Sequence, residues 1–275
     1  MLRLWRGYVS PACPWDPVPS GRKATLLNQY TGITDCYDLL MRGGYYDHDT
    51  MAGAADAAMG DRKKVLELGV GTGLFAQSLA RRKPDCDITG VDFTPSMLEI
   101  AQDRVGADTR LIEADVTSMD LEDTFDAAIS SGGVWVVIDA EDEFLLGTHL
   151  SHRDQEVEGL KNVSAHLESD GLLLLSIQEM HHDFDLTLPE GVVYSQRVSA
   201  TKEAEELDEH FTIEKQYSFT QDSEVIGEET LNLGFYRQNA MDEILDEAGF
   251  EFERIDDDRQ FFVYSNGSES PAASV

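Results

Sequence analysis

The sequence predicts an α/β fold, namely a Rossmann-like, doubly wound, seven-stranded and mostly parallel sheet with an N-terminal helical cap and an antiparallel β insertion. From residue 65 onward, short apolar runs alternate with amphipathic helical segments, which is typical of a parallel, doubly wound sheet. A glycine-rich turn follows the first of these runs. After residue 178 the alternation gives way to longer strand patterns joined by a hairpin turn.

The predicted elements follow in order along the chain. Residues 25–60 form one or two helices, because apolar side chains recur there at helical spacing and Gly43-Gly44 interrupts them. The parallel part has strands at 65–68, 87–92, 110–113, 125–130 and 172–177, and helices at 74–82, 95–105 and 153–167. The remainder has strands at 192–199, 211–220 and 225–235, with a hairpin turn at 221–224, then a helix at 239–248 and strands at 250–255 and 260–264.

These elements predict one domain over residues 25–265, which contains a helical cap at 25–60 and the antiparallel insertion at 190–235. Residues 1–24 hold four prolines and predict a flexible N-terminal arm. Residues 266–275 predict a disordered tail. With 275 residues, of which 41% are hydrophobic, the chain is long enough and apolar enough to build a core.

The charge of the chain is strongly negative. It holds 53 acidic against 21 basic residues, a net charge of −32, and residues 111–275 carry almost all of the excess. Such a surface repels phosphate groups, so nucleic acid and anionic membranes are not expected as partners. An acidic excess of this size is typical either of a protein with a cationic substrate or of adaptation to high salt. We favour salt adaptation, because the acids are spread along the chain without a focus.

Cysteine usage and hydropathy predict a cytoplasmic protein. The three cysteines are widely spaced and form no C-x-x-C pair, so neither a disulfide framework nor a zinc site is expected, and we expect no bound metal. No apolar run approaches the roughly 18–20 residues of a membrane helix, and the N-terminus is a poor signal peptide. A homodimer is left open, since the hairpin at 211–235 suits either a cap over the site or a dimer contact.

The segment VLELGVGTG, residues 65–73, carries the chemical signal. An apolar strand that contains one acid, Glu67, runs into three alternate glycines, as at a tight turn where a ligand approaches the backbone. Leu74 breaks the dinucleotide pattern G-x-G-x-x-G. Asp92 ends the second strand, where an acid can accept ribose hydroxyls, and Asp115 follows the third, where one can accept an adenine amine.

Together these segments resemble the class I S-adenosylmethionine-dependent methyltransferases over about residues 30–180. VLELGVGTG is similar to the first motif of that family, GVDFTPSML to the second and EADV to the third. FDAAISSGG resembles the fourth-strand segment, and LESDGLLLLSI resembles the glycine turn before strand five. The resemblance implies a methyltransferase with S-adenosyl-L-methionine as its cofactor.

The same resemblance implies a set of cofactor-binding residues at the strand ends. They are Gly69, Gly71 and Gly73 along the methionine moiety, Glu67 orienting that loop, Asp92 at the ribose, Phe93 and Met97 flanking the adenine, Asp115 and Val116 at its edge, and Ser130 and Ser131 at the mouth toward the acceptor. Because transfer from a sulfonium is an in-line displacement, positioning supplies most of the catalysis.

The acceptor is predicted to be a small molecule, methylated at an amine nitrogen. SSGGVW stands where an N-P-P-Y motif would mark methylation of bases or glutamine. The cap and insertion resemble those of aminosugar N,N-dimethyltransferases, which places Tyr37, Arg42 and Tyr46 at the methionine end. Val134 stands where those enzymes carry a histidine. The alternatives are O-methylation, cyclisation or cleavage of the cofactor, and a non-catalytic cofactor-binding protein.

Candidate catalytic residues are His181, His152 and Tyr37. Histidine is the usual general base near neutral pH. His181-His182 follow strand five, and His149 and His152 lie in the expected lid before the next helix; the alternative for each is a surface histidine. Trp135 would either stack on the acceptor or pack in the core.

Overall fold

The structure is a computed structural model that describes residues 30–107, 109–150, 152–200 and 209–267. The whole predicted arm, the first five residues of the predicted cap and most of the predicted tail lie outside these ranges. Asn266, which the sequence places in the tail, is a buried residue at the end of the last strand.

The described residues form six α-helices and thirteen strands. The helices are α1 Thr34–Leu40, α2 His48–Met59, α3 Leu74–Arg82, α4 Pro95–Val105, α5 Arg153–Ala165 and α6 Gln238–Glu247. The strands are β1 Lys64–Leu68, β2 Asp87–Asp92, β3 Arg110–Glu113, β4 Phe125–Ser130, β5 Trp135–Asp139, β6 Phe144–Thr148, β7 Leu167–Glu179, β8 Phe184–Thr187, β9 Val193–Ala200, β10 His210–Gln221, β11 Glu224–Tyr236, β12 Phe250–Ile255 and β13 Phe261–Asn266. A π-helical turn, Met41–Tyr45, continues α1, and a 3-10 turn spans Pro189–Gly191.

Seven strands form the central sheet, in the order β3-β2-β1-β4-β7-β13-β12. The first five are parallel to one another, and β13 runs antiparallel to both β7 and β12. Buried side chains of α2 and α3 pack on one face, and those of α5 and α6 on the other. The predicted fold class is confirmed, and the carboxyl ends of the parallel strands form one edge where ligands bind in such sheets.

A second sheet begins where β5 pairs with the end of β7, and its strand order is β5-β6-β11-β10-β9-β8. Strand β7 belongs to both sheets, because residues 172–176 pair with β13 while residues 177–179 pair with β5. The predicted hairpin is observed between β10 and β11, and Asp222 and Ser223 take the left-handed conformations of a two-residue hairpin turn.

The second sheet is larger than the sequence predicts. Strands β5 and β6 come from the segment directly after β4, where no strand is predicted, and β8 is also unpredicted. Their burial explains this difference, since four of the five residues in both β5 and β6 are buried and show no two-residue alternation.

The cap packs on the second sheet and is tied to the glycine turn. Ile33, Leu40 and Met41 join a core with residues of β9, β10 and β11. Asp38 in α1 accepts a 2.8 Å hydrogen bond from Thr72 Oγ1 and pairs with Arg104 of α4. Arg104 also donates to the Thr72 carbonyl. The cap is therefore held against the turn that the sequence singles out.

Candidate active site

The glycine turn after β1 supports a cleft of about 800 Å³, here named the glycine-turn cleft. Gly69 and Gly71 line it with φ angles of 72° and 54°, in the left-handed region that glycine adopts without strain. A side chain at Gly69 would collide with the backbone of Gly133, whereas the space above Gly71 is open. Gly73 does not line this cleft; its Cα faces Ala101 and Val105 of α4.

Asp92 is fixed at the centre of the glycine-turn cleft. Its Oδ2 accepts from the Gly71 N–H at 2.8 Å, and its Oδ1 accepts from the Thr94 N–H at 2.8 Å. Burial raises the pKa of the Asp92 carboxyl, while these two backbone bonds act in the opposite direction. The Thr94 hydroxyl and the Phe93 backbone N–H act on the carboxylate in the same direction as these bonds, so its position is set by the turn after β2 as well as by the glycine turn.

The side of this cleft beyond Asp92 is formed by residues after β2 and β3. Phe93, Met97, Asp115 and Val116 all line it, as the resemblance implies. Asp115 Oδ1 accepts from both the N–H and the hydroxyl of Thr117, which fixes the orientation of this carboxylate. The arrangement offers one carboxylate between apolar walls.

A smaller cavity of about 330 Å³, the Glu67 pocket, adjoins the other end of the turn. Glu67 Oε1 accepts from Ser131 Oγ at 3.2 Å, and its Oε2 is buried with no hydrogen-bond partner among the described residues. Burial raises the pKa of the Glu67 carboxyl to about 8. Tyr37 and Tyr46 of the cap also line this pocket, so it lies between the cap and the turn.

Two residues predicted at the cofactor lie elsewhere. Arg42 is largely exposed and 3.8 Å from Asp38, and it lines none of these cavities. Ser130 is fully buried and accepts from the Trp135 backbone N–H, so it holds the β4–β5 turn. Both are implied at the cofactor by the family resemblance, and a matching motif does not fix the direction of a side chain.

A second pocket of about 360 Å³ opens beside the glycine-turn cleft. Tyr30, Gly132 and His149 line both spaces. The remaining walls come from the second sheet, from β7 and from the cap, and the additional residues are Tyr46, Val136, Gly147, Thr148, Gln178, His181, Lys215, Tyr217, Leu233 and Phe235.

His149 lies at the junction of the two spaces. Its Nε2 is 2.9 Å from Tyr30 Oη, and its Nδ1 is 3.5 Å from the Val134 carbonyl. Since a carbonyl only accepts, the proton belongs on Nδ1 and Nε2 accepts from the tyrosine. Burial lowers the pKa of His149 to about 4, so it is neutral at pH 7. The His149 ring therefore lies against Val134, which stands where the aminosugar N,N-dimethyltransferases carry a histidine.

The other candidate bases separate in the structure. His181 lines the second pocket, and burial together with Lys215 lowers its pKa to about 3. His152 precedes α5 as its N-cap residue and lines none of the three cavities, while His182 is exposed. Trp135 is fully buried and donates from Nε1 to Glu156 at 2.7 Å, so it packs in the core and does not stack on a ligand.

Sequence reasoning missed Lys215 and Tyr30. Lys215 occupies an inward position of β10, in phase with the buried Ile213, Tyr217 and Phe219. A lysine in phase with apolar residues of a predicted strand is a signal that the sequence does contain. Tyr30 lies outside every motif and carries no such signal.

Neither a metal site nor a membrane helix is found in the part of the chain that the structure describes. No group of three His, Cys, Asp or Glu side chains within the described ranges is placed to hold a metal ion. No helix in those ranges is long and apolar enough to cross a membrane.

Comparisons with known proteins find similar sequences over the motif segments. Residues 65–171 match a family model described as a methyltransferase domain. A malonyl-[acyl-carrier protein] O-methyltransferase from Bacillus cereus is 34% identical over 129 residues, which are 44% of this chain and 42% of that protein. A demethylmenaquinone methyltransferase from Deinococcus radiodurans is 35% identical over 111 residues, 38% of this chain and 46% of that protein. The chain thus spans less than half the length of either relative.

The fold itself extends over more of the chain. The structure of an amino pentose methyltransferase from Micromonospora echinaspora with bound S-adenosylmethionine superposes with a TM-score of 0.59 at 20% identity, covering 84% of this chain and 96% of that one. At this identity the likeness shows the fold. Residues 65–171 thus match a methyltransferase domain, in agreement with the predicted resemblance, and the superposition together with the strand order confirms the predicted fold.

Proposed function

We propose that the protein is an S-adenosylmethionine-dependent methyltransferase that acts on a small-molecule acceptor. The observation that carries this proposal is the junction of two cavities, because Tyr30, Gly132 and His149 line both the glycine-turn cleft and the second pocket. A cofactor in the first and an acceptor in the second would be held beside each other, and such positioning is the main requirement of methyl transfer. The net charge of −32 supports a small molecule over a nucleic acid.

The residues present fit the cofactor. Glu67 Oε2 is buried without a partner in the described residues, and the residue lines the Glu67 pocket. Once the carboxyl has released its proton, the amino group of a methionine moiety would supply the missing donor. Asp92 would accept from the ribose hydroxyls, and Asp115 would accept from the adenine amine. When bound, S-adenosylmethionine supplies a methyl group on a positively charged sulfur, which is activated for displacement.

The other residues of the site would contact the cofactor through apolar surfaces and through the backbone. Phe93, Met97 and Val116 would flank the adenine, and Gly69 and Gly71 would let the cofactor approach the backbone. Ser131, Tyr37 and Tyr46 would enclose the methionine end. We propose no cofactor contact for Gly73, Arg42 or Ser130, since none of them lines a cavity of the site.

Tyr30 and His149 are the candidate pair for removing a proton from the acceptor. His149 Nε2 faces Tyr30 Oη at 2.9 Å and is held neutral by burial. A proton leaving the acceptor would pass to the Tyr30 oxygen as the tyrosine proton passes to His149 Nε2. His181 lines the same pocket and is the alternative base; His152 is not proposed, because it lines none of the cavities.

The acceptor atom is either nitrogen or oxygen. The predicted amine nitrogen is supported by the fold likeness to an amino pentose methyltransferase, which covers 84% of this chain. Oxygen is the second candidate, favoured by a buried lysine in the second pocket and by the lack of any carboxylate among the residues lining it. We also propose the predicted layout of one domain over residues 25–265, since the cap and the second sheet enclose the same site.

The test is product analysis with labelled cofactor and the small-molecule fraction of a cell extract. The proposal expects S-adenosylhomocysteine that depends on the extract. Methylthioadenosine would instead indicate cyclisation or cleavage of the cofactor. Cofactor binding without turnover in any extract would indicate a non-catalytic binding protein.

A further inference from the structure

Lys215 is an unusual cation in this acidic protein. Its side chain is 2% exposed, and it projects from β10 into the wall of the second pocket. No carboxylate of the described residues lies within 4.0 Å of its Nζ, although 53 acidic residues are present in the chain. A buried charge without a counter-charge is costly, so its presence calls for an explanation.

The partners of Lys215 are neutral groups. Nζ donates to Tyr45 Oη at 2.8 Å and lies 3.4 Å from His181 Nδ1. It also lies 4.8 Å from the ring centre of Tyr217. An ammonium group has three donors, and these contacts use two of them within the described residues. Burial lowers the pKa of Lys215 to about 7, as expected for a site that supplies no negative charge of its own.

A second buried donor in the same pocket is also incompletely used. Gln178 Nε2 is buried and faces Tyr46, a contact that partly offsets the rise that burial causes in the pKa of Tyr46. No acceptor among the described residues meets Nε2 in full hydrogen-bond geometry, and an amide nitrogen has two donors, so at least one N–H is unused. Buried donors of this kind are rare unless a ligand or water completes them. Two incompletely used donors therefore line a pocket whose other walls are largely aromatic.

We propose that the second pocket binds its acceptor through an anionic oxygen, either a carboxylate or an ionised phenol or enol, and that Lys215 and Gln178 hold this oxygen. The inference rests on the proposed function and names the substrate class of the same site. The aromatic rings of Tyr30, Tyr217 and Phe235 suit a flat acceptor body. This proposal disfavours a cationic acceptor, because no carboxylate lines the pocket to bind one.

The first experiment measures binding directly. The full chain, saturated with S-adenosylhomocysteine, is titrated by calorimetry with benzoate, 4-nitrophenolate, benzamide and benzylamine. At least one anion should bind about tenfold more tightly than both benzamide and benzylamine, and benzoate against 4-nitrophenolate separates the two oxygen sources. In Lys215→Met the affinity for that anion should fall about 10- to 100-fold, the value of a hydrogen bond to a charged group, and the preference over benzamide should disappear. Gln178→Leu should lower this affinity less.

The matched control is Lys161→Met, which removes one positive charge from the exposed face of α5. It should leave every affinity unchanged, and thermal unfolding checks that each variant folds. Benzylamine or benzamide binding as tightly as both anions, or an anion preference that survives Lys215→Met, would overturn the proposal.

The second experiment separates this inference from the proposed function. A small-molecule extract is split on anion- and cation-exchange resins, and each fraction is assayed for S-adenosylhomocysteine formation. Turnover with the fraction retained by the anion exchanger, and a raised KM in Lys215→Met, are expected. Turnover only with the cation-exchange fraction overturns the inference and leaves the methyltransferase intact. No turnover with any fraction counts against the proposed function, and the binding titrations still decide the inference.

Discussion

The glycine-turn cleft and the second pocket adjoin each other but are built in opposite ways. The glycine-turn cleft is lined by tight backbone turns and by the carboxylates of Asp92 and Asp115. The second pocket is lined by the nitrogen groups of His149, His181 and Lys215, and none of the residues lining it is acidic. The two halves of one site therefore carry opposite chemistry, although the chain as a whole has a net charge of −32.

This difference shows how a strongly charged exterior can mislead. The acidic residues spread over exposed helices and turns, as the many exposed ion-pairing carboxylates indicate. The charge that an acceptor would meet is set by the few residues lining the second pocket. A net charge thus describes the solvent-facing surface, whereas the preference for an acceptor depends on the pocket.

The largest effect is expected for the stability of Lys215→Met. Burial holds the pKa of Lys215 near 7, against 10.5 in the unfolded chain. Between these values the unfolded state binds a proton that the folded state does not, so wild-type stability rises with pH across this window. The variant should be more stable by about 3–5 kcal/mol below pH 7, with the gain vanishing toward pH 10.5. Urea unfolding at pH 6, 8 and 10 measures it, and a gain independent of pH would contradict it.

Asp92→Ala tests the independence of the two halves. It removes the acceptor of the Gly71 and Thr94 N–H groups and the proposed ribose contact. Affinity for S-adenosylhomocysteine should fall about 100-fold, or about 2.7 kcal/mol. Benzoate and 4-nitrophenolate binding to the cofactor-free protein should change less than about twofold. Isothermal titration measures both, with Asp115→Ala as a milder comparison; equal losses at both sites would mean that they are not independent.

Glu67→Gln should show a pH slope opposite to that of Lys215→Met. Burial raises the pKa of Glu67 to about 8 from 4.5, so the folded state holds a proton in this window that the unfolded state has lost. Wild-type stability therefore falls as pH rises from 4.5 through 8. Above pH 8 the glutamine variant should be more stable by about 2 kcal/mol, because its unpaired amide offsets part of the gain. Urea unfolding at pH 5, 7 and 9 tests the sign.

The smallest effect concerns the exterior. If the acidic coat reflects salt adaptation, the Tm should rise by about 5–10 °C between 0.1 and 2 M KCl, as screening relieves self-repulsion. Differential scanning calorimetry measures this shift. Full stability in low-salt buffer would remove the salt-adaptation hypothesis and leave the acidic surface unexplained.

The central sheet was predictable because its signals are local. Four strands and two helices, β2, β3, β4, β12, α3 and α4, coincide with their predicted residues. Each helix has its own apolar periodicity, and each strand is a short run bounded by turn residues. Strands β5 and β6 were not predictable in this way, since buried runs without alternation resemble any core segment.

The same division holds for the site. The motif segments place Asp92, Asp115 and Gly71 within one short stretch of the sheet edge, so their meeting follows from strand order. In the wall of the second pocket, Lys215 instead donates to Tyr45, 170 residues earlier in the chain. Pairings at this distance depend on the register of the second sheet, which the sequence pattern does not specify.

The division of β7 between two sheets has a consequence for recombination. The second sheet is assembled from two separate stretches of chain, β5–β6 before α5 and β8–β11 after β7, and these meet where Thr148 of β6 pairs with Gly234 of β11. A chimera that exchanges only the later stretch would leave that seam mismatched. Changing the acceptor preference of this fold therefore requires both stretches to be exchanged together, while β7, the strand that the two sheets share, is kept.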